Sequence, residues 1–298
     1  MEDDFDESEM FSPSATAPKM PSAINPLAKY FRVPGLNVRL PSKGAYMPRG
    51  AINFTLNGEI AVSPMRAADE LLMKSPDALM SGYAIEQLIL SCAPEVKAPR
   101  LLSMADLDVL LLGIRAASYG EKMEVESTCP ECGEASNFDV NLPAILATVK
   151  DLPPECLVRL SEDIIVSLRP YNVENGTQVA MAAFDESRRL QFAENEPENV
   201  RMQMLNESYS TISKLNADMM AQCVIHVITP EGMVMDPTMI REFINNIPRK
   251  WGNKIEKKLK ELNSIGMDKR VDVKCGKCEH EWKTELEFNP ANFFDQDS

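Results

Sequence analysis

Histidine is almost missing from this 298-residue chain, with two copies, and tryptophan also occurs only twice. A proton-shuttling site built on imidazole has little to draw on. The 13 glycines are dispersed, with no GxG, no phosphate-loop pattern and no GxSxG. Their spacing removes the usual signatures of nucleotide binding and of a strained nucleophile. No apolar run approaches the roughly 18 residues that a membrane helix needs. No basic stretch leading into an apolar one marks a secretory signal. Positive charge is the scarcer sign, 31 Lys+Arg against 45 Asp+Glu, for a net charge of −14. Such a body repels phosphate backbones, which disfavours nucleic acid as the main partner. Carboxylates abound, yet no pair is singled out by its surroundings. The sequence therefore presents no catalytic residue and no cofactor-binding loop, and the chain is expected to be assembled in the cytoplasm.

What is present is enough for a core: 44% of the residues are hydrophobic. The first nine residues carry six carboxylates and run into a Pro/Ser/Ala-rich stretch, so residues 1–30 read as a disordered acidic arm. Short strands are expected at 37–40 and on both sides of the Asn57-Gly58 turn, the strongest local hairpin signal. The period then changes to helical. AADELLMK, YAIEQLILSC and residues 104–118 follow, with Ser75-Pro76 and Ser103/Asp106 as N-terminal caps. Leu107, Leu110, Leu111 and Ile114 form one stripe of the third helix, a core face. Strands return at 122–141, a hairpin spans 157–168, and residues 175–220 are helical with a break near Pro197. A short hairpin is expected across Pro230-Glu231-Gly232. Asp236-Pro237 caps a further helix, and the last helix sets Trp251, Ile255, Leu259 and Leu262 on one face, with Gly266 placed to stop it. Its cations Arg249, Lys250, Lys254, Lys257, Lys258 and Lys260 read as a solvated face or as a docking face for an acidic partner. The fold class is α+β, small hairpins and helices around a split zinc ribbon with a mainly helical insertion. The expected segments are the arm (1–30), an α+β domain with the first knuckle (31–149), hairpin plus helical insertion (150–235), and C-terminal helices with the second knuckle (236–298).

Seven cysteines without an export signal read as thiols or metal ligands before disulfides. Cys92, Cys156 and Cys223 stand alone in apolar stretches, as small buried hydrophobes do. Cys129/Cys132 and Cys275/Cys278 are different. Each pair sits between alternating segments, EVEST-CPECG before FDVNL and VDVK-CGKCE before WKTELEF. A CxxC turn aims two thiolates at one point, and two such turns complete a tetrahedral structural zinc site, one ion per chain. A redox CxxC competes weakly, because that motif sits singly at a helix start. A lost site with free thiols is the other alternative. The 142 residues between Cys132 and Cys275 must fold and return their ends to one place. His226, in CVIHVI, reads as a core histidine, and His280 lies close enough to Cys278 to substitute as a ligand.

The order of LPSKGAY, VSPMRAADELLMKSPDALMSG, DLDVLLLGIRAASYGEKMEVESTCPECG and, at the end, REFINNIPRKWGNKIEKKLKELNSIGM with CGKCEHEWKTELEFNPANFF resembles the baseplate hub proteins of T-even-type contractile-tailed bacteriophages. The resemblance covers residues 36–149 and 236–294. It implies a non-enzymatic structural or assembly subunit of the virion tail baseplate. Its partners would be other hub and tail proteins, with room for a homo-oligomer and no membrane. The alternative is a zinc-ribbon module of a nucleic-acid-processing complex, against which the glutamates crowding both knuckles speak.

Overall fold

The computed structural model describes Asn25, Leu27, and residues 31–193, 197–286 and 293–294. The acidic arm expected over 1–30 lies almost wholly outside these residues. Residues 33–298 form one compact unit, of the α+β class that the sequence pattern implies.

One hydrophobic core gathers around a single central helix. Strands β1 (Leu36–Val38) and β2 (Ile60–Val62) pair antiparallel and lie on α4 (Met104–Tyr119). Around it are α1 (Ala67–Met73), α2 (Pro76–Met80) and α3 (Tyr83–Cys92). The stripe Leu107, Leu110, Leu111 and Ile114 is buried, as its helical spacing requires. Both predicted caps form: the Ser75 hydroxyl accepts from the Ala78 N–H, and the Ser103 hydroxyl from the Asp106 N–H at 3.1 Å. Close approach of β1 to α4 rests on Gly113, where a Cβ would sit 2.7 Å from Val38 Cγ1. Gly113→Val should therefore push the strand off the helix and lower stability by about 2–3 kcal/mol. Urea unfolding that returned the wild-type midpoint would remove this reading of the contact.

A second core lies under a four-stranded antiparallel meander of β5 (Cys156–Arg159), β6 (Ile165–Leu168), β7 (Val224–Thr229) and β8 (Gly232–Val234). Helices α8 (Pro237–Asn246) and α9 (Arg249–Asn263) cover it through Ile240, Ile244, Ile255, Leu259 and Leu262. The Asp236 carboxylate caps α8 by accepting from the N–H groups of Thr238 and Met239. Between β6 and β7 the chain makes two long helices, α6 (Val173–Ala193) and α7 (Glu198–Gln222), either side of the expected break.

Three local expectations fail. The Asn57-Gly58 turn forms, with Gly58 at φ 74° and its N–H on the Thr55 carbonyl. The hairpin beyond it does not propagate: β2 pairs with β1, and Ile52 instead bridges to Val96. Gly266 does not stop the last helix, which ends at Ser264 in ordinary helical conformation. Its missing side chain admits Ala105, 3.4 Å from where a Cβ would stand. His226 is half-buried on β7 opposite Ser167, not fully buried as a core histidine would be.

Candidate metal centre

The two cysteine pairs end two hairpins. Strands β3 (Lys122–Thr128) and β4 (Ala135–Asn141) pair along their whole length, as do β9 (Arg270–Lys274) and β10 (Glu281–Glu285). A valine faces an aromatic in each ladder, Val125 opposite Phe138 and Val273 opposite Trp282. The turns match in their hydrogen bonds. The Cys129 N–H reaches the Glu134 carbonyl at 2.8 Å, and the Gly133 N–H returns to the Cys129 carbonyl at 2.9 Å. In the second turn the Cys275 N–H reaches the His280 carbonyl at 2.9 Å, and the Glu279 N–H returns to the Cys275 carbonyl at 3.1 Å. Each turn needs a left-handed residue directly after its second cysteine. The first has Gly133 (φ 71°) there and the second has Glu279 (φ 59°). A non-glycine residue in that conformation costs about 1–2 kcal/mol. Glu279→Gly should thus raise the thermal midpoint by an amount equivalent to about 1 kcal/mol, and an unchanged or lower midpoint would count against the strain.

Folding brings all four cysteines of the two pairs together. Cys129 Sγ lies 3.6 Å from Cys278 Sγ, and Cys132 Sγ lies 3.6 Å from Cys275 Sγ. All four sulfurs fall within 4.8 Å of one another. Bonds of about 2.3 Å from zinc to sulfur put tetrahedral ligands about 3.8 Å apart, so the donor set and its spacing fit a four-thiolate ion. All four residues are free thiols, with no disulfide among them. The Lys277 N–H points at Cys275 Sγ at 3.4 Å. The backbone N–H groups of Cys278 and Lys277 together draw the Cys275 thiol down to about 6. At Cys278 the His280 N–H pulls the same way, but burial and the three neighbouring sulfurs outweigh it and push the thiol up to about 12.

The hairpins also meet beyond the sulfurs. Phe138 and Trp282 pack edge to face with centroids 5.6 Å apart, a geometry that aromatic quadrupoles favour. Trp282 Nε1 donates to the Ser127 hydroxyl, which also lies 3.1 Å from Thr284 Oγ1. Lys277 pairs with Glu134 across the two turns at 3.0 Å. These contacts were not picked out from the sequence, although aligning the two cysteine segments already sets Phe138 against Trp282. His280 stacks on Trp282, 15° from parallel, and lies outside the four-sulfur group. Cys92, Cys156 and Cys223 are buried apart from it. Burial pushes the Cys156 thiol up and the Cys223 thiol up to about 12, the behaviour of inert packing groups. The cations of α9 are largely turned to solvent, with Lys254 donating to the Arg159 and Leu160 carbonyls and Lys258 paired with Glu261.

The family model described as T4 bacteriophage base plate protein matches residues 40–295. No curated protein and no solved structure matches the chain.

Proposed function

Because the chain belongs to the T4 bacteriophage base plate protein family, we propose that it is a hub-region structural or assembly subunit that acts by protein–protein contact. On this reading Cys129, Cys132, Cys275 and Cys278 hold one structural zinc. The family implies the virion tail as its setting and other tail and baseplate proteins as its partners, and among the described residues no helix is long and apolar enough to cross a membrane. The observation that carries the proposal is the meeting of four sulfurs from two hairpins 142 residues apart in sequence. A closed four-thiolate site leaves no open position for water, so its contribution is shape. When bound, zinc supplies cross-linking of the two hairpins, while the backbone N–H groups of the turns orient the sulfurs. The six carboxylates of the first nine residues suit steering toward a basic neighbouring subunit. Mass spectrometry of purified virions, with cryo-electron microscopy of the baseplate, tests the role. The chain should be found at the hub, or should bind hub intermediates in infected-cell extracts; its absence from both overturns the reading.

A further inference from the structure

Helix α9 carries six cations and two carboxylates between residues 249 and 263, in a chain where carboxylates outnumber cations. Cations elsewhere find acids: Arg39 pairs with Asp151, Arg66 with Asp69, Arg241 with Asp218 and Lys269 with Asp108. On α9, Lys258 pairs with Glu261, and Lys254 donates to two carbonyls. Arg249, Lys250, Lys257 and Lys260 are exposed and, among the described residues, have no ion pair. At about 100° per residue these four lie within an arc of about 100°, with Asn253 between them and Glu256 and Glu261 just outside its two borders. The strip runs about 17 Å along the helix. Beside it, a cavity of about 610 Å³ opens between α7, α8 and α9. Met219, Ile244 and Leu259 are buried around the cavity, and Arg249, Glu256 and Lys260 also line it. Gly252 forms part of the wall, and a Cβ there would meet nothing within 4 Å. Gly113 and Gly266 differ, since each admits a close neighbour. Glycine inside a helix weakens it, and at residue 252 no close packing requires it. What this glycine leaves is room.

We propose that the cavity and the strip together bind an acidic segment of a neighbouring tail protein. One large apolar side chain of that segment sits in the cavity, and its carboxylates lie along Arg249, Lys250, Lys257 and Lys260. The inference rests on the reading of this chain as a subunit that acts by contact. Two features select the occupant. Four cations left unpaired in an acid-rich chain are complementary to carboxylates from outside. Next to them, buried Met219, Ile244 and Leu259 offer a base edge no strong donor or acceptor and suit an aliphatic or phenyl side chain. An apolar anchor in a pocket with charges around it is the arrangement in which a few residues carry most of the binding energy. Glu256 is the one carboxylate among the residues lining the cavity, so it opposes an acidic occupant and holds the affinity down. The first nine residues of this chain share the occupant's charge. As a steering arm toward a basic neighbour they serve a different contact, and the test separates the two sources.

The test is fluorescence anisotropy of a labelled synthetic peptide on the full chain. The peptide carries Asp and Glu around a central Phe and has about eight residues, enough to cover the strip when extended. It should bind with a Kd below about 1 mM, and more weakly as salt rises. The double variant Lys257→Glu/Lys260→Glu should weaken binding at least about 10-fold, while metal content and far-ultraviolet circular dichroism stay unchanged. Gly252→Leu, which fills the cavity and keeps the charges, should weaken binding about 10-fold for the Phe peptide and leave a peptide with Ala in its place unaffected. Should that variant misfold, the Ala peptide on wild-type protein reads the same contact, with about 10-fold weaker binding expected. Glu256→Gln should strengthen binding, by removing the opposing charge. No binding at about 1 mM peptide overturns the proposal. So does an affinity that ignores the substitutions at residues 252, 257 and 260, and so does duplex DNA bound more tightly than the peptide. The triple substitution Asp3→Asn/Asp4→Asn/Asp6→Asn in the full chain should leave peptide affinity unchanged. A rise of about 10-fold would mean that these tethered residues compete for the face, and the proposal would fall. All of this needs only purified protein and peptide, so a negative result leaves the hub assignment standing, and absence from the hub leaves the binding result intact.

Discussion

Serine in place of Cys275 should release the metal and cost on the order of 5 kcal/mol of folding free energy. Two arguments give that size. Structural zinc contributes about 10 kcal/mol or more in small domains that have little else, whereas here two hydrophobic cores remain without it. Independently, a cross-link closing a loop of 142 residues removes about 5 kcal/mol of denatured-chain entropy in the simple polymer model. The variant should retain less than half an equivalent of zinc and unfold at markedly lower denaturant. Cys156→Ala, at a buried thiol away from the cluster, should leave the metal content at one equivalent. Elemental analysis of freshly purified, unchelated wild type giving less than half an equivalent would sink the metal assignment. Equal midpoints for wild type and Cys275→Ser would sink the claim that the cluster holds the fold.

Asp106→Ala is expected to cost about 2–4 kcal/mol, because it orphans buried donors. Asp106 has 0% exposure in the first turn of α4. Its Oδ1 accepts from the Ser42 N–H at 2.9 Å, and its Oδ2 accepts from the Ser103 hydroxyl at 2.7 Å. Ser42 is itself buried, so alanine leaves its N–H without a partner or water. The pH dependence has a definite sign. Burial raises the Asp106 carboxyl above its ordinary range, against the opposing pull of hydrogen bonds from Ser42 and Ser103. The folded state therefore binds this proton more tightly than the unfolded chain. The contribution is complete below the unfolded value of about 3.9 and declines as pH rises through the folded value. Asp106→Asn, which cannot ionise, should lose ground to wild type least near neutrality, so the stability difference should shrink as pH rises. A difference that widened with pH would reverse the assignment.

The parts of the fold that were readable in the sequence are those written in short-range chemistry. The caps at Ser75, Ser103 and Asp236 announce three helices because each satisfies N–H groups two or three residues away. The apolar stripes of α4 and α9 follow from helical period alone. The duplicated pattern around the cysteines was readable because it repeats, and repetition exposes Val125/Phe138 and Val273/Trp282 as equivalent pairs. Long-range choices were not readable. The Asn57-Gly58 turn predicts a local partner for β2, but Ile52 bridges to Val96, the Asn53 N–H goes to the Glu95 carbonyl, and β1 takes the vacant edge, a decision made by packing on α4. Gly266 looked like a helix stop because glycine serves both for left-handed turns and for close approach, and sequence does not separate the two. Arg115 gave no signal at all. It is buried on α4, its guanidinium hydrogen-bonds the Phe293 carbonyl and lies 5.5 Å from the Phe293 ring.

The separation of the two knuckles also sets an order of events during synthesis. Cys129 and Cys132 leave the ribosome first, and at about 5–20 residues per second the 142 intervening residues delay Cys275 by roughly 7–30 s. Throughout that interval the nascent chain offers half a coordination shell, while β5 through α9 must be made before the other half can arrive. A chain cut off anywhere between the two pairs holds Cys129 and Cys132 and lacks the other two sulfurs of the cluster. Closure of the cluster thus waits on the synthesis of Cys275, and the β3–β4 and β9–β10 hairpins are joined only after all the residues between them have been made.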